Sequence, residues 1–152
     1  MKFLLLFIIS LLLLMFSNNA YAQEPMVMKQ TTPNGKVKVE LNWGEVLPDV
    51  FYNIGVRFLD PSTDQPLVGV SIDYEVLVLQ YEHVIESHHD KNTNSGTEHF
   101  EVLFPEDHTG PAQVIITIKT MNDGSGWVQM QEEVSFDVHQ LRLLQCIELW
   151  SQ

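Results

Sequence analysis

Cysteine is almost missing from this chain: among 152 residues there is one, Cys146, close to the C-terminus. A disulfide within the domain is excluded, so the fold is not a stapled scaffold of the kind common among small exported proteins. The lone thiol reads as a small apolar residue or as a bridge to another chain. Basic residues are scarce too. Eight Lys and Arg stand against 20 Asp and Glu, a formal net charge of −12. That sign repels phosphate backbones and excludes nucleic acid as a partner. It disfavours anionic membrane surfaces as well, and leaves metal ions and cationic partners as compatible ligands. No Asn-x-Ser/Thr acceptor for N-glycosylation occurs. No helical periodicity separates the apolar runs of the middle of the chain, which argues against parallel βαβ architecture.

Long hydrophobic runs occur once, at the start. Lys2 precedes an apolar stretch from Phe3 to Phe16, then Ser17-Asn18-Asn19, then Ala20-Tyr21-Ala22. A positive end, a short apolar run and a small-x-small site are the three regions of a secretory signal peptide. The run of 14 residues is shorter than the roughly 18 to 20 needed to cross a bilayer as a helix. Cleavage after Ala22 is expected, giving an exported product with no stable membrane span. Removing residues 1–22 takes away one basic residue and no acidic one, so the charge becomes −13. Residues 23–35 are polar with two prolines and read as a flexible leader ending in a Pro-Asn-Gly turn.

Alternation then begins. Val37, Val39, Leu41 and Trp43 share one face against Lys36, Lys38, Glu40 and Asn42, the period-two pattern of a half-buried strand. Further runs cover Phe51 to Leu59, Val68 to Gln80, about Glu82 to Ser87, the Phe100-Val102-Phe104 set, the Val114-Ile116-Ile118 set, and about Trp127 to His139. Clusters of Pro, Gly, Asn and Asp bound them. About seven such runs predict an all-β, immunoglobulin-like two-sheet β-sandwich over residues 36–139, followed by a short helical or irregular tail over 140–152. The loop HHDKNTNSG is expected to close a hairpin between the fourth and fifth runs.

The strand ending Leu41-Asn42-Trp43, the Phe58-x-Asp60 step, QPLVGVSIDYEVLV, the His-bearing loop, HFEVLFPEDHTGPAQVIITI and the terminal VSFDVH together resemble the small exported immunoglobulin-like proteins of archaea and bacteria, including the YtkA-like group. The resemblance spans roughly residues 36–139. It implies an Ig-like sandwich and brings no catalytic residues with it. The antibody-type Cys…Trp…Cys pattern is absent.

Five of the six histidines fall between residues 83 and 108. His88 and His89 precede Asp90, His99 lies two residues before Glu101, and His108 follows Glu106-Asp107. Imidazoles beside carboxylates suit copper or zinc, so His88, His89, His99 and His108 form a candidate metal set. Their spacing matches no fixed ligand motif, and on a continuing strand His88 and His89 point to opposite sides. Nothing supplies a nucleophile elbow or an oxyanion hole, since Gly-x-Ser-x-Gly does not occur. An enzyme is not expected.

Apolar residues on the wrong face are the more informative anomaly. Leu77, Leu79 and Tyr81 sit opposite the core set of the third run, and Ile115 does so in the sixth. In an Ig-like arrangement those runs share a sheet, so the four side chains mark a contact patch on its outer face. The tail QLRLLQCIELW carries Leu143, Ile147 and Trp150 at helical spacing. It is expected to pack back on that patch, to bind a partner protein or a second copy, or to lie on a membrane. The sequence thus points to a non-enzymatic exported binding module acting through protein–protein contact, with metal binding by the histidine set as the alternative.

Overall fold

A computed structural model describes residues 26–43, 51–104 and 111–138. They form eight strands: β1 (Met26–Thr31), β2 (Lys38–Trp43), β3 (Phe51–Leu59), β4 (Ser71–Gln80), β5 (His83–Thr93), β6 (Thr97–Leu103), β7 (Ala112–Asn122) and β8 (Trp127–Val138). Two four-stranded antiparallel sheets, ordered β1-β2-β3-β6 and β5-β4-β7-β8, make a β-sandwich. The chain changes sheet between β3 and β4, between β5 and β6, and between β6 and β7.

The alternating residues build the core as the period of two requires. Val37, Val39, Leu41 and Trp43 are all buried, and so are Ile72, Tyr74, Val76 and Val78 on the facing sheet. Aromatic rings pack against one another in the core, and one pair, Phe58 of β3 with Tyr74 of β4, joins the two layers. Trp43 and Tyr52 meet Phe104 edge-on at centroid distances of 5.8 and 6.3 Å, and Phe58 lies 4.9 Å from Tyr74. Burial pushes the Tyr74 phenol well above its ordinary value, and the negative charge of Glu98 adds to the shift. Each fully buried apolar side chain contributes about 1.5–3 kcal/mol.

Turn chemistry sets the strand ends. The Asp60 carboxylate accepts hydrogen bonds from the backbone N–H groups of Ser62 and Thr63 at 2.8 and 2.9 Å, fixing the reversal after β3. Gly96, at φ +67°, threads beside Leu67, and a Cβ there would come within 2.8 Å of the Leu67 nitrogen.

Three expectations change. Residues 26–31, inside the stretch read as a flexible leader, form β1 and pair in register with β2. Their side chains are mostly exposed, so the strand is held by the backbone ladder and by Lys29, whose Nζ lies 3.1 Å from Glu40. Among the described residues this strand adds to the seven runs read from the sequence, which are all present as β2 to β8. The HHDKNT segment is strand, not loop, and β5 and β6 do not pair as a hairpin: only residues 94–96 join them, and they lie in different sheets. The tail 140–152 lies outside the described residues. Among the described residues no helix is long and apolar enough to cross a membrane.

Candidate functional site

β4 lies between β5 and β7, which puts the misplaced apolar set on one surface. Leu77 is directly opposite Ile115 on β7, and Leu79 is opposite Val84 on β5. Leu77, Leu79 and Ile115 are half-buried, whereas Tyr81 and Val84 are 60% and 59% exposed. These residues sit on the outer face, because the core-facing positions of β4 are Ile72, Tyr74, Val76 and Val78. A hollow of about 320 Å³ beside them is lined by Leu79, Tyr81, Pro111 and Ala112 together with the carboxylates of Glu82 and Asp137.

Tyr81 reaches this surface through an unfavourable turn. Gln80 pairs with His83, leaving Tyr81 and Glu82 as a two-residue hairpin loop with φ of 50° and 64°. Positive φ at both central positions is the type I′ pattern, normally filled by Asn-Gly or Gly-Gly. Side chains other than glycine cost roughly 1–2 kcal/mol each in that region. Strain of this kind collects at binding and switch positions.

The other half of the same face is polar. The Glu75 carboxylate takes Lys119 Nζ and lies 3.1 Å from His89 Nδ1, while Lys119 also lies 3.4 Å from Asp90. Lys119, and after it His89, hold the Glu75 carboxyl below its ordinary range. Asp73 accepts from Thr120 Oγ1 and from Asn92 Nδ2, both at 2.6 Å. His89 therefore belongs to an ion-pair surface on the outside of its sheet.

His88 points the other way. Its register partner is Val76, a core-facing residue, so its ring turns between the sheets and meets Phe100 of β6 at a tilt, with centroids 5.4 Å apart. Around that contact, where the free edges of β5 and β6 face each other, lies a cleft of about 470 Å³ lined by Phe51, Asn53, Glu86, His88, His99, Phe100 and Glu101. The candidate metal set is thus divided. His88 and His99 share the cleft, His89 is on the opposite face of β5, and His108 lies outside the described residues. Among the described residues no three His, Cys, Asp or Glu side chains are gathered closely enough to hold a metal ion. Leu143, Ile147 and Trp150 also lie outside the described residues.

Glu86, Phe51 and Val84 are surface-forming residues that the sequence pattern did not single out, whereas Glu101 was already paired with His99 there. The signal for Glu86 was of the same kind as for Glu101. Glu86-x-His88 and His99-x-Glu101 are i, i+2 pairs, and such pairs share a strand face.

Comparison with protein-family models, with curated proteins and with solved structures gives no match.

Proposed function

We propose that this chain is an exported, non-enzymatic, immunoglobulin-like binding module that acts through protein–protein contact at the β4–β5 turn and the outer face beside it. The observation that carries this reading is the presentation of Tyr81. An aromatic side chain stands 60% exposed on a turn that neither Tyr81 nor Glu82 favours, next to an equally exposed Val84 and the half-buried Leu79. Tyrosine is enriched at contact centres because it combines a large apolar body with a polar tip.

The surroundings select the partner. Glu82 and Asp137 rim the hollow, and the whole chain carries −12. A second copy would bring like charges together, which costs several kcal/mol at an interface. The fitting partner is a different protein with an apolar centre and a basic rim. The amphipathic stretch 140–150 begins just beyond Val138, whose register partner Ala112 lines the same hollow. Under this proposal Leu143, Ile147 and Trp150 join the contact.

The test compares the native size of the exported protein with that of the Tyr81→Ser/Val84→Ser variant. The wild type should run as a complex with a second protein at fixed stoichiometry, rebuilt from the two purified parts. The double variant should run as a folded monomer. Trp127→Ser, which removes an exposed ring at the far end of the sandwich, should leave the complex intact. A wild type that is monomeric, that pairs only with itself, or that keeps its partner in the double variant defeats the proposal.

A further inference from the structure

Each sheet of the sandwich has two edge strands, and the four edges are not equally protected. We propose that the free edge of β6, over His99–Leu103, docks an extended segment of a partner protein, which adds a strand there and alternates lysine or arginine with apolar residues. This edge is separate from the β4–β5 turn, and no residue of that contact takes part.

The hydrogen-bond pattern fixes which backbone groups the edge offers. Phe58 N–H donates to the Gly96 carbonyl at 2.9 Å. Along an antiparallel pair, bonded and non-bonded positions alternate. Val56–Glu98, Ile54–Phe100 and Tyr52–Val102 are therefore the bonded pairs, and Gly55–His99, Asn53–Glu101 and Phe51–Leu103 the others. The N–H and C=O groups of His99, Glu101 and Leu103 thus point away from β3. Thr97, in the same phase, shows the direction. The Ser95 hydroxyl accepts from its N–H at 3.2 Å and donates to its C=O at 2.7 Å. For the backbone groups of His99 and Glu101 no such partner occurs among the described residues.

An open edge pairs with another chain unless a bulge, a lysine or a capping side chain blunts it. Among the described residues three of the four edges are blunted. β5 breaks register with β4 twice, and the Glu86 carboxylate takes the Ser87 N–H at 3.3 Å. β8 breaks register with β7 where Gln131 has φ of 50°, and its Ser135 N–H donates to Gln30 Oε1 of β1 at 3.2 Å. β1 carries Lys29 in its middle. β6 keeps unbroken register with β3 over its whole length and contains no Pro, Lys or Arg.

The side chains along the edge select the strand. Residues two apart share a strand face, so Glu101 and Leu103 lie on one face with their register partners Asn53 and Phe51. Phe51 is 65% exposed. A basic residue beside Glu101, and an apolar one two positions on beside Leu103 and Phe51, match that row. The cleft of about 470 Å³ lined by Phe51, His99 and Glu101 leaves room for such side chains. A second copy offers the wrong strand. Its β6 has no Lys or Arg, and it would bring its own Glu98 and Glu101 and a formal charge of −12.

The test is amide hydrogen exchange, read by NMR on the purified protein alone and with a capped peptide of alternating lysine and valine. The peptide should slow exchange at least tenfold at His99, Glu101 and Leu103. It should leave Glu98, Phe100 and Val102, already bonded to β3, unchanged. That every-other-residue pattern marks strand addition, and charge attraction does not produce it. The fully N-methylated peptide of equal charge should bind at least tenfold more weakly, and so should a glutamate–valine peptide. Glu101→Pro removes an outward N–H without touching the β3 ladder, and should weaken the lysine–valine peptide at least tenfold. Tyr81→Ser/Val84→Ser should bind it normally, so this edge and the β4–β5 contact fail separately. If Glu101→Pro does not fold, the wild-type exchange pattern still decides. Absent or uniform protection, protection at β1, β5 or β8 instead, or equal binding of the N-methylated peptide overturns the proposal. So does protection of His99 and Glu101 that rises with protein concentration in the absence of peptide, which gives the edge to a second copy.

Discussion

Replacing Glu82 by glycine should stabilise the fold, and the size of the gain measures the strain placed behind Tyr81. Glu82 has φ of 64° as the second central residue of the β4–β5 turn. A residue with a Cβ pays roughly 1–2 kcal/mol there. Glycine relieves that strain but gives back about 0.5–1 kcal/mol of backbone entropy in the unfolded chain. The net expectation is a gain of about 0.5–1 kcal/mol, or a Tm rise of about 2–5 °C for a domain of this size. Glu82→Ala removes the same carboxylate and keeps the strain, so it is the reference. Urea unfolding of the three proteins gives the comparison directly. Glu82→Gly should be the most stable, with an unchanged denaturant slope. If Glu82→Gly is no more stable than Glu82→Ala, the turn carries no backbone strain, and the main support for Tyr81 as a functional residue is gone.

Further outcomes follow from other parts of the fold. Burial alone would raise the Glu40 carboxyl pKa, but Lys29 and Arg57 outweigh it and hold the value below the ordinary range. A depressed carboxyl pKa contributes stability above the unfolded value of about 4.3 and loses it as pH falls through the folded value. Glu40→Gln should therefore cost about 1–2 kcal/mol at pH 7, after allowing for the partly exposed partners. The difference from wild type should vanish in acid, and urea midpoints from pH 7 to pH 2 check both statements. Gly96→Ala should cost about 2–4 kcal/mol, because the residue sits at φ +67° and a Cβ would collide with the Leu67 backbone; the same unfolding assay reads it. Lys119→Met removes the cation shared by Glu75 and Asp90 on the outside of the β5-β4-β7-β8 sheet. It should leave the urea midpoint nearly unchanged, as the loss of an exposed pair does, and the small difference should shrink further in high salt.

What was legible in the sequence was the part set by burial. Phe51–Leu59 matches β3 end to end, because inward Tyr52, Ile54, Val56 and Phe58 alternate with residues of the outer face. The shared sheet of β4, β7 and β8 was expected from the Ig-like arrangement and not from burial; the sheet is as expected, and the direct pairing of Leu77 with Ile115 is what the register adds. β1 was hidden because edge pairing needs only backbone groups: five of its six residues are exposed, so no apolar pattern was written. The long β5 was hidden similarly. Its second half, His89 to Asn92, is exposed, and a solvated edge strand reads like a loop. His88 and His99 do line one cleft, but by a crossing between sheets and not by a hairpin, a long-range event that no local pattern encodes. The Tyr81-Glu82 turn carried no Gly, Asn or Pro, so nothing marked it.

The most direct test of a protein contact at the β4–β5 turn is solvent protection of Tyr81 and Val84, read by hydroxyl-radical footprinting of the protein in its native complex and after purification to a monomer. Both residues should be strongly oxidised in the monomer and clearly protected in the complex. Trp127, at the opposite end, should be oxidised equally in both. Equal labelling of Tyr81 and Val84 in the two states, or protection already present in the monomer and lost on deleting residues 140–152, would contradict that contact.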